Sequence, residues 1–190
     1  MKHFEKVYWT AVKTHGIITT SEATALGVSP SELNRYCKDG RLSKKGRSVY
    51  ALTHFMPTPL TRYAEAVALV GKSAYLYGDS VLALHGLLDA NPSVLCVASK
   101  ARVRRSLPEW ICVRRTPYTD VCVEYEGVPC QLVANAIAAC EGDYPAETLG
   151  ALVDVAMREE LVTEAQRRSL LEGLGLCAAA LERQTGVGNV

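Results

Sequence analysis

No stretch of this 190-residue chain reaches the roughly 20 consecutive apolar residues that a helix needs to cross a bilayer. The opening residues, MKHFEKVYW, read as the start of an amphipathic helix and not as a signal peptide, so a cytoplasmic location without membrane association is expected. Paired cysteines of the C-x-x-C type are missing as well. The seven cysteines (Cys37, Cys96, Cys112, Cys122, Cys130, Cys140 and Cys177) are odd in number and have no histidine at ligand spacing. That pattern argues against a disulfide framework and against a structural zinc site. Stretches such as Val94-Leu95-Cys96-Val97 instead predict buried thiols.

Catalytic signatures are lacking too: there is no G-x-S-x-G, no phosphate-binding glycine loop and no H-E-x-x-H. Asp120 with Glu124 and Glu126 comes nearest to a nuclease-like acidic set. It has no lysine at the needed spacing, and hairpin surface charge is the simpler reading. His85, near the end of a short apolar helix, reads as a structural histidine, cationic or hydrogen-bonded at a helix C-terminus. The expectation is a protein with no enzymatic activity, no metal and no cofactor.

A strong net charge is the last thing absent. The formal value is +1 and the isoelectric point about 7.6, which by itself does not describe a nucleic-acid-binding protein. The distribution says otherwise. Between Met1 and Met56 nine basic residues stand against four acidic ones, a local excess of five, so the remainder sums to −4. Such asymmetry points to a polyanion-facing surface in the N-terminal part.

What the chain does contain is concentrated in residues 16–52, GIITTSEATALGVSPSELNRYCKDGRLSKKGRSVYAL. Thr19 with Glu22, and Ser29 with Glu32, form two capping boxes ten residues apart, the second followed by Pro30 at the first helical position. Leu26-Gly27-Val28 supplies the tight turn between the two helices, and Gly40 ends the second. Arg41-Leu42-Ser43 and Ser48-Val49-Tyr50-Ala51-Leu52 then alternate at strand period around a cationic tip, Lys44-Lys45-Gly46-Arg47. Ahead of them Phe4, Val7, Tyr8, Ala11 and Val12 recur at helical spacing. The expected core of this module is Phe4, Val7, Tyr8, Val12, Ile17, Leu26, Leu33, Leu42, Val49 and Leu52.

This order of elements predicts a winged helix-turn-helix over residues 1–56. Its second helix would turn Leu33, Tyr36 and Cys37 inward and Ser31, Asn34, Arg35 and Lys38 outward. Asparagine and arginine on such a face can read adenine and guanine in double-stranded DNA. Thr20, Ser21, Ser29, Arg41, Lys44, Lys45 and Arg47 complete the candidate DNA-binding set, chiefly as phosphate contacts.

Met56-Pro57-Thr58-Pro59 predicts a boundary, and residues 57–190 a mixed α/β domain ending in helices, making the whole chain α+β. A helix over about Leu60 to Val70 presents Tyr63, Ala64, Val67 and Ala68. A short helix capped by Asp79 or Ser80 ends at Gly86. Strands follow at Val94 to Ala98, Ile111 to Arg115, Val121 to Tyr125 and Val128 to Val133, the last two flanking a turn at Glu126-Gly127. A second basic cluster, Lys100, Arg102, Arg104 and Arg105, could meet DNA phosphate or an acidic partner, or simply be solvated. Later helices open at Pro145 and at Thr163 with Gln166, with a last turn over Cys177 to Leu181 and a disordered tail.

The segment 16–52, together with AYLYGDSVLALHGLL and the basic strand region, resembles the AbiEi family of bacterial antitoxins, regulators in viral defence systems. The resemblance implies a winged-helix N-terminal domain that binds inverted repeats at its own promoter. It also implies a C-terminal domain that counters a nucleotidyltransferase-like toxin in a type IV abortive-infection pair. The positions similar to the family are the helix from Ser29 to Asp39, Gly40-Arg41-Leu42, Arg47 to Leu52, and Gly78 to Gly86. One departure stands out: the glycine usual before the Val-Tyr pair is Ser48, with Gly46 two places earlier. A second reading, a non-enzymatic interaction or ligand-sensing regulator without an antitoxin role, stays open.

Overall fold

The computed structural model describes residues 3–88, 92–116 and 121–176. It is a mixed α+β protein with two sheets, and its residues group into two compact units. One unit runs through Leu76 and takes in Ser93–Cys130; the other holds Tyr77–Pro92 and the described residues from Gln131 onward. Asp120, Cys177 to Leu181 and the tail expected to be disordered lie outside the described residues.

The first unit opens with α1 (His3–Lys13), β1 (Ile17–Thr19), α2 (Thr20–Ala25), α3 (Pro30–Lys38), β2 (Leu42–Gly46) and β3 (Val49–Leu52). Both capping boxes form. The Thr19 hydroxyl accepts from the Glu22 N–H while the Glu22 carboxylate accepts from the Thr19 N–H, and Ser29 and Glu32 do the same for α3. Gly27 ends α2 at φ 81°, which lets the Val28 N–H turn back to the Ala23 carbonyl at 2.9 Å. A side chain there would strain this conformation, and the short link between α2 and α3 depends on it.

The three strands form an antiparallel sheet in the order β1-β3-β2, with Ile17 opposite Ala51 and Leu42 opposite Leu52. β1 has no counterpart in the sequence reading. It is three residues long, too short to show a period, and it exists because β3 offers it an edge. Val7, Ala11, Ile18, Ala23, Val28, Leu33, Tyr36, Leu42, Tyr50 and Leu52 are the buried core, with Phe4, Val12 and Leu26 partly buried against it. Tyr8, expected inside, is 40% exposed and packs edge-on against Trp9 at 5.4 Å.

α4 (Thr61–Val70) touches strands of both sheets, so it is buried at Tyr63, Ala64, Ala66, Val67, Leu69 and Val70 and not along one stripe. The boundary expected after Met56 therefore falls inside the first unit. The second sheet has the order β6-β5-β4-β8-β7, built from β4 (Ala74–Leu76), β5 (Leu95–Ser99), β6 (Ile111–Arg115), β7 (Cys122–Tyr125) and β8 (Val128–Gln131). β4 runs antiparallel to β5 and parallel to β8, and β5 runs parallel to β6. The β7–β8 turn is Glu126-Gly127, both at positive φ (46° and 83°), the backbone of a tight two-residue hairpin.

Cys130 and Cys140 are buried, and burial pushes their thiols up to about 11 and about 12. Cys37 and Cys96 are half-buried. Cys112 and Cys122 correct the expectation of buried thiols: they are exposed, because each occupies an outward position on an edge strand.

The second unit contains α5 (Asp79–Leu84), α6 (Val133–Ala139), α7 (Ala146–Arg158) and α8 (Glu164–Gly173). Neither Asp79 nor Ser80 caps α5. The cap position is Gly78, whose N–H donates to the buried Gln131 amide oxygen at 3.2 Å. His85 stands at the C-terminal end of α5, where burial lowers its pKa and favours the neutral ring over the cation. Pro145 precedes α7, and Thr163 with Gln166 forms the capping box of α8. Leu149, Leu152, Val153, Ala156 and Leu171 are the buried faces of these two helices.

Candidate nucleic-acid interface

α3 divides its residues cleanly. Leu33 and Tyr36 are buried, while Ser31, Asn34, Arg35 and Lys38 are all exposed. The helix is anchored from below by an edge-on contact between Phe4 and Tyr36, 5.0 Å between centroids. His3 Nδ1 lies 2.9 Å from Glu32 Oε1, a further tie between α1 and α3. The Ser29 backbone N–H and, next in weight, His3 hold the Glu32 carboxyl down to about 2. Ser29 itself is exposed, but its hydroxyl donates to Glu32 at 3.1 Å and is committed to the cap.

Arg35 lies over the Tyr36 ring at 5.5 Å, and Arg41 over the Phe4 ring at 4.9 Å. At exposed sites such contacts contribute about 0.5–1 kcal/mol, enough to bias a side chain and not enough to hold it from a partner. Thr20 is half-buried at the start of α2, and Ser21 beside it is exposed.

The hairpin differs from the expected shape. Lys44 and Lys45 belong to β2 and not to the tip, because a bulge between Lys44 and Gly46 absorbs one residue and lets Gly46 pair with Val49. The turn is Arg47-Ser48, with Ser48 at φ 65°. The left-handed backbone that a glycine would adopt freely is thus borne by a serine. Gly46 serves a separate need: a Cβ there would sit 2.5 Å from Leu69 Cδ2 of α4. Lys45, in the bulge, forms an ion pair with Glu65 of α4 at 3.5 Å, whereas Lys44 and Arg47 are exposed and form no ion pair with a described residue.

Residues 100–105 run without regular secondary structure between β5 and β6. Lys100 is half-buried, and Arg102, Arg104 and Arg105 are exposed. The Arg105 guanidinium is oriented by the last turn of α4, donating from Nη1 to the Leu69 carbonyl at 3.3 Å.

The two basic clusters meet. Thr20, Ser21 and Arg47 share one concavity with Arg102, Arg104 and Arg105, joined by Lys13 from the end of α1 and Lys72 just after α4. Ser29, Ser31, Asn34, Arg35, Lys38, Arg41, Lys44, Lys45 and Lys100 do not line it. Lys13 and Lys72 escaped the sequence reading, since each is a single lysine at a helix end; only proximity in the fold distinguishes them. His15 was missed for the same reason. Its Nε2 donates to the Glu126 carbonyl at 2.6 Å and its Nδ1 lies 3.0 Å from the Thr58 hydroxyl, fixing the β7–β8 turn to the end of α1. Among the described residues no group of acidic, histidine and cysteine side chains is placed to hold a metal ion, and no helix is long and apolar enough to cross a membrane.

No curated protein matches this sequence. Among solved structures, the crystal structure of RV2827C protein from Mycobacterium tuberculosis is 13% identical over 90% of this chain and 71% of that one, with a TM-score of 0.47. Over residues 10–53, the stretch that holds both capping boxes, α3 and the β2–β3 hairpin, the chain matches the model of the family described as "Transcriptional regulator, AbiEi antitoxin".

Proposed function

We propose that the N-terminal segment is a winged helix-turn-helix and that the protein is a transcriptional autorepressor binding an inverted-repeat operator in double-stranded DNA. The observation that carries this reading is α3: its four outward residues, Ser31, Asn34, Arg35 and Lys38, are exposed together on a helix whose other side is locked by Leu33 and Tyr36. Asn34 and Arg35 are the base-reading residues, able to make bidentate contacts to adenine and guanine. Lys44 and Arg47 on the hairpin, and Ser21 on α2, take phosphates and set the register.

The match to an antitoxin family supports a second role, the antitoxin of a type IV abortive-infection pair whose toxin is nucleotidyltransferase-like. In this reading the protein acts in the cytoplasm without catalysis and without a cofactor. The test has two arms. Mobility shifts with the DNA upstream of the protein's own operon should show binding at least a hundredfold tighter than to a scrambled duplex, and equal affinity for both overturns the regulator reading. Co-expression with the neighbouring open reading frame should restore growth, and unrelieved toxicity overturns the antitoxin role.

A further inference from the structure

The concavity shared by the two basic clusters encloses about 920 Å³. Six cations line it, Lys13, Arg47, Lys72, Arg102, Arg104 and Arg105, against two carboxylates, Glu22 and Glu124. Of the six, only Arg105 has a described hydrogen bond, to the Leu69 carbonyl; none of them forms an ion pair with a described residue. The rest of the lining mixes the hydroxyl residues Thr14, Thr20, Ser21 and Ser48 with the partly exposed Ala68 and Pro129, while Ile17, Val49 and Val67, also on it, are almost wholly buried.

Charge and shape together narrow what fits. A volume of this size lies in the range of small-molecule sites, which run from about 300 to 1,000 Å³. A duplex is far wider than a space of this volume and would only cross its rim. A positive excess of four calls for two or three phosphates, each carrying roughly one to two negative charges. Arginine forks grip such oxygens in pairs. The remaining lining, hydroxyls beside Ala68 and Pro129, then suits an organic body that is itself part polar, attached to those phosphates.

We propose that this concavity binds a nucleotide-sized organic polyphosphate, with its phosphates on Arg102, Arg104 and Lys72 and its organic end against Ala68, Pro129 and the hydroxyl of Thr20. Because Ser21 and Arg47 also line the space, an occupant withdraws two of the phosphate contacts assigned to DNA, so ligand and operator compete. That second consequence, though not the binding itself, rests on the DNA-binding reading above.

The experiment titrates the full-length protein with methylanthraniloyl-ATP, followed by fluorescence, and competes the probe with ATP and with inorganic pyrophosphate. Saturable binding of one probe per chain is expected, displaced at least tenfold better by ATP than by pyrophosphate. The double substitution Arg102→Ala with Arg104→Ala should weaken it at least tenfold. Ala68→Phe, which fills the space without altering charge, should do the same. Ser21→Trp, uncharged and at an exposed position of the lining, replaces Ala68→Phe if that protein does not fold by circular dichroism. Arg158→Ala, on α7 and not among the lining residues, should bind as the parent does. No saturable binding at millimolar probe overturns the proposal. So does binding that the arginine substitutions abolish, Ala68→Phe leaves intact and pyrophosphate competes as well as ATP, since that describes surface charge alone. Release of promoter DNA by the probe is read separately: intact probe binding with no release overturns the competition and leaves the site standing.

Discussion

The outward face of α3 and the basic loop 100–105 are built in opposite ways. Ser31, Asn34, Arg35 and Lys38 stand on α3, a helix capped at its start by Ser29 and Glu32 and fixed beneath by Leu33 and Tyr36. Arg102, Arg104 and Arg105 stand on irregular chain between two parallel strands. Hydrogen bonds to base edges need side chains held to a fraction of an ångström, which a regular element supplies. Phosphates accept a cation from many directions, and a loop suffices. On the proposed reading, similar residue types serve discrimination in one place and charge in the other, and the difference lies in the backbone that carries them.

The contrast breaks most completely if α3 loses its support. Leu33 is fully buried, and Leu33→Ala should destabilise the protein by about 2–5 kcal/mol in denaturant unfolding, abolishing the difference between operator and random DNA along with the helix. An intact, specific complex in that variant would mean that α3 is not the reading element.

Less disruptive changes remove single contacts. Asn34→Ala or Arg35→Ala should cost about 1–3 kcal/mol of binding on the operator while leaving random DNA nearly unchanged. Lys44→Ala should weaken both DNAs alike and lower the slope of log affinity against log salt by about one. Lys45→Ala should do less than Lys44→Ala, because Lys45 is already partnered by Glu65. Titrations at several salt concentrations separate these patterns, and equal effects of the Arg35 and Lys44 changes on both DNAs would erase the distinction.

Acid probes the cap that supports the same face. The Glu32 carboxyl is held down to about 2 in the folded protein, against an ordinary value near 4.5. Its contribution to stability is fully present above about 4.5 and is lost as the pH falls toward 2. Glu32→Gln keeps an acceptor for the Ser29 N–H and should flatten this part of the stability profile in melts between pH 5 and 2. An unchanged acid limb would remove Glu32 as its source.

The smallest change expected is at the hairpin turn. Ser48 occupies φ 65°, and Ser48→Gly should raise stability by a few tenths to about 1 kcal/mol. A loss of stability would show that the serine side chain contributes something its backbone does not reveal.

Much of α3 and its surroundings was legible in the residues because the signals there are local. A capping box spans four positions, and both N-terminal boxes formed where Thr19 and Ser29 placed them. The same holds for Thr163 with Gln166, and for the turn at Glu126-Gly127. What escaped depends on partners far away in the chain. β1 and β4 are three residues each and acquire strand character only from β3 and from β5 and β8. The bulge that moves Lys45 into β2 needs the facing strand to be seen. The concavity needs Lys13, Arg47 and Arg102 brought together from positions that share no local pattern. Tyr8 had the right spacing for the core and the wrong side of α1, where Val7 and Ala11 alone are buried.

Site-specific photo-crosslinking shows whether α3 and the hairpin meet DNA, with a benzophenone side chain placed singly at position 34 on α3, at 44 on β2 and at 123 on β7, all exposed positions. With promoter DNA, strong crosslinks are expected from 34 and 44 and none above background from 123. Crosslinks from 123 with none from 34 would contradict the DNA-binding reading of α3.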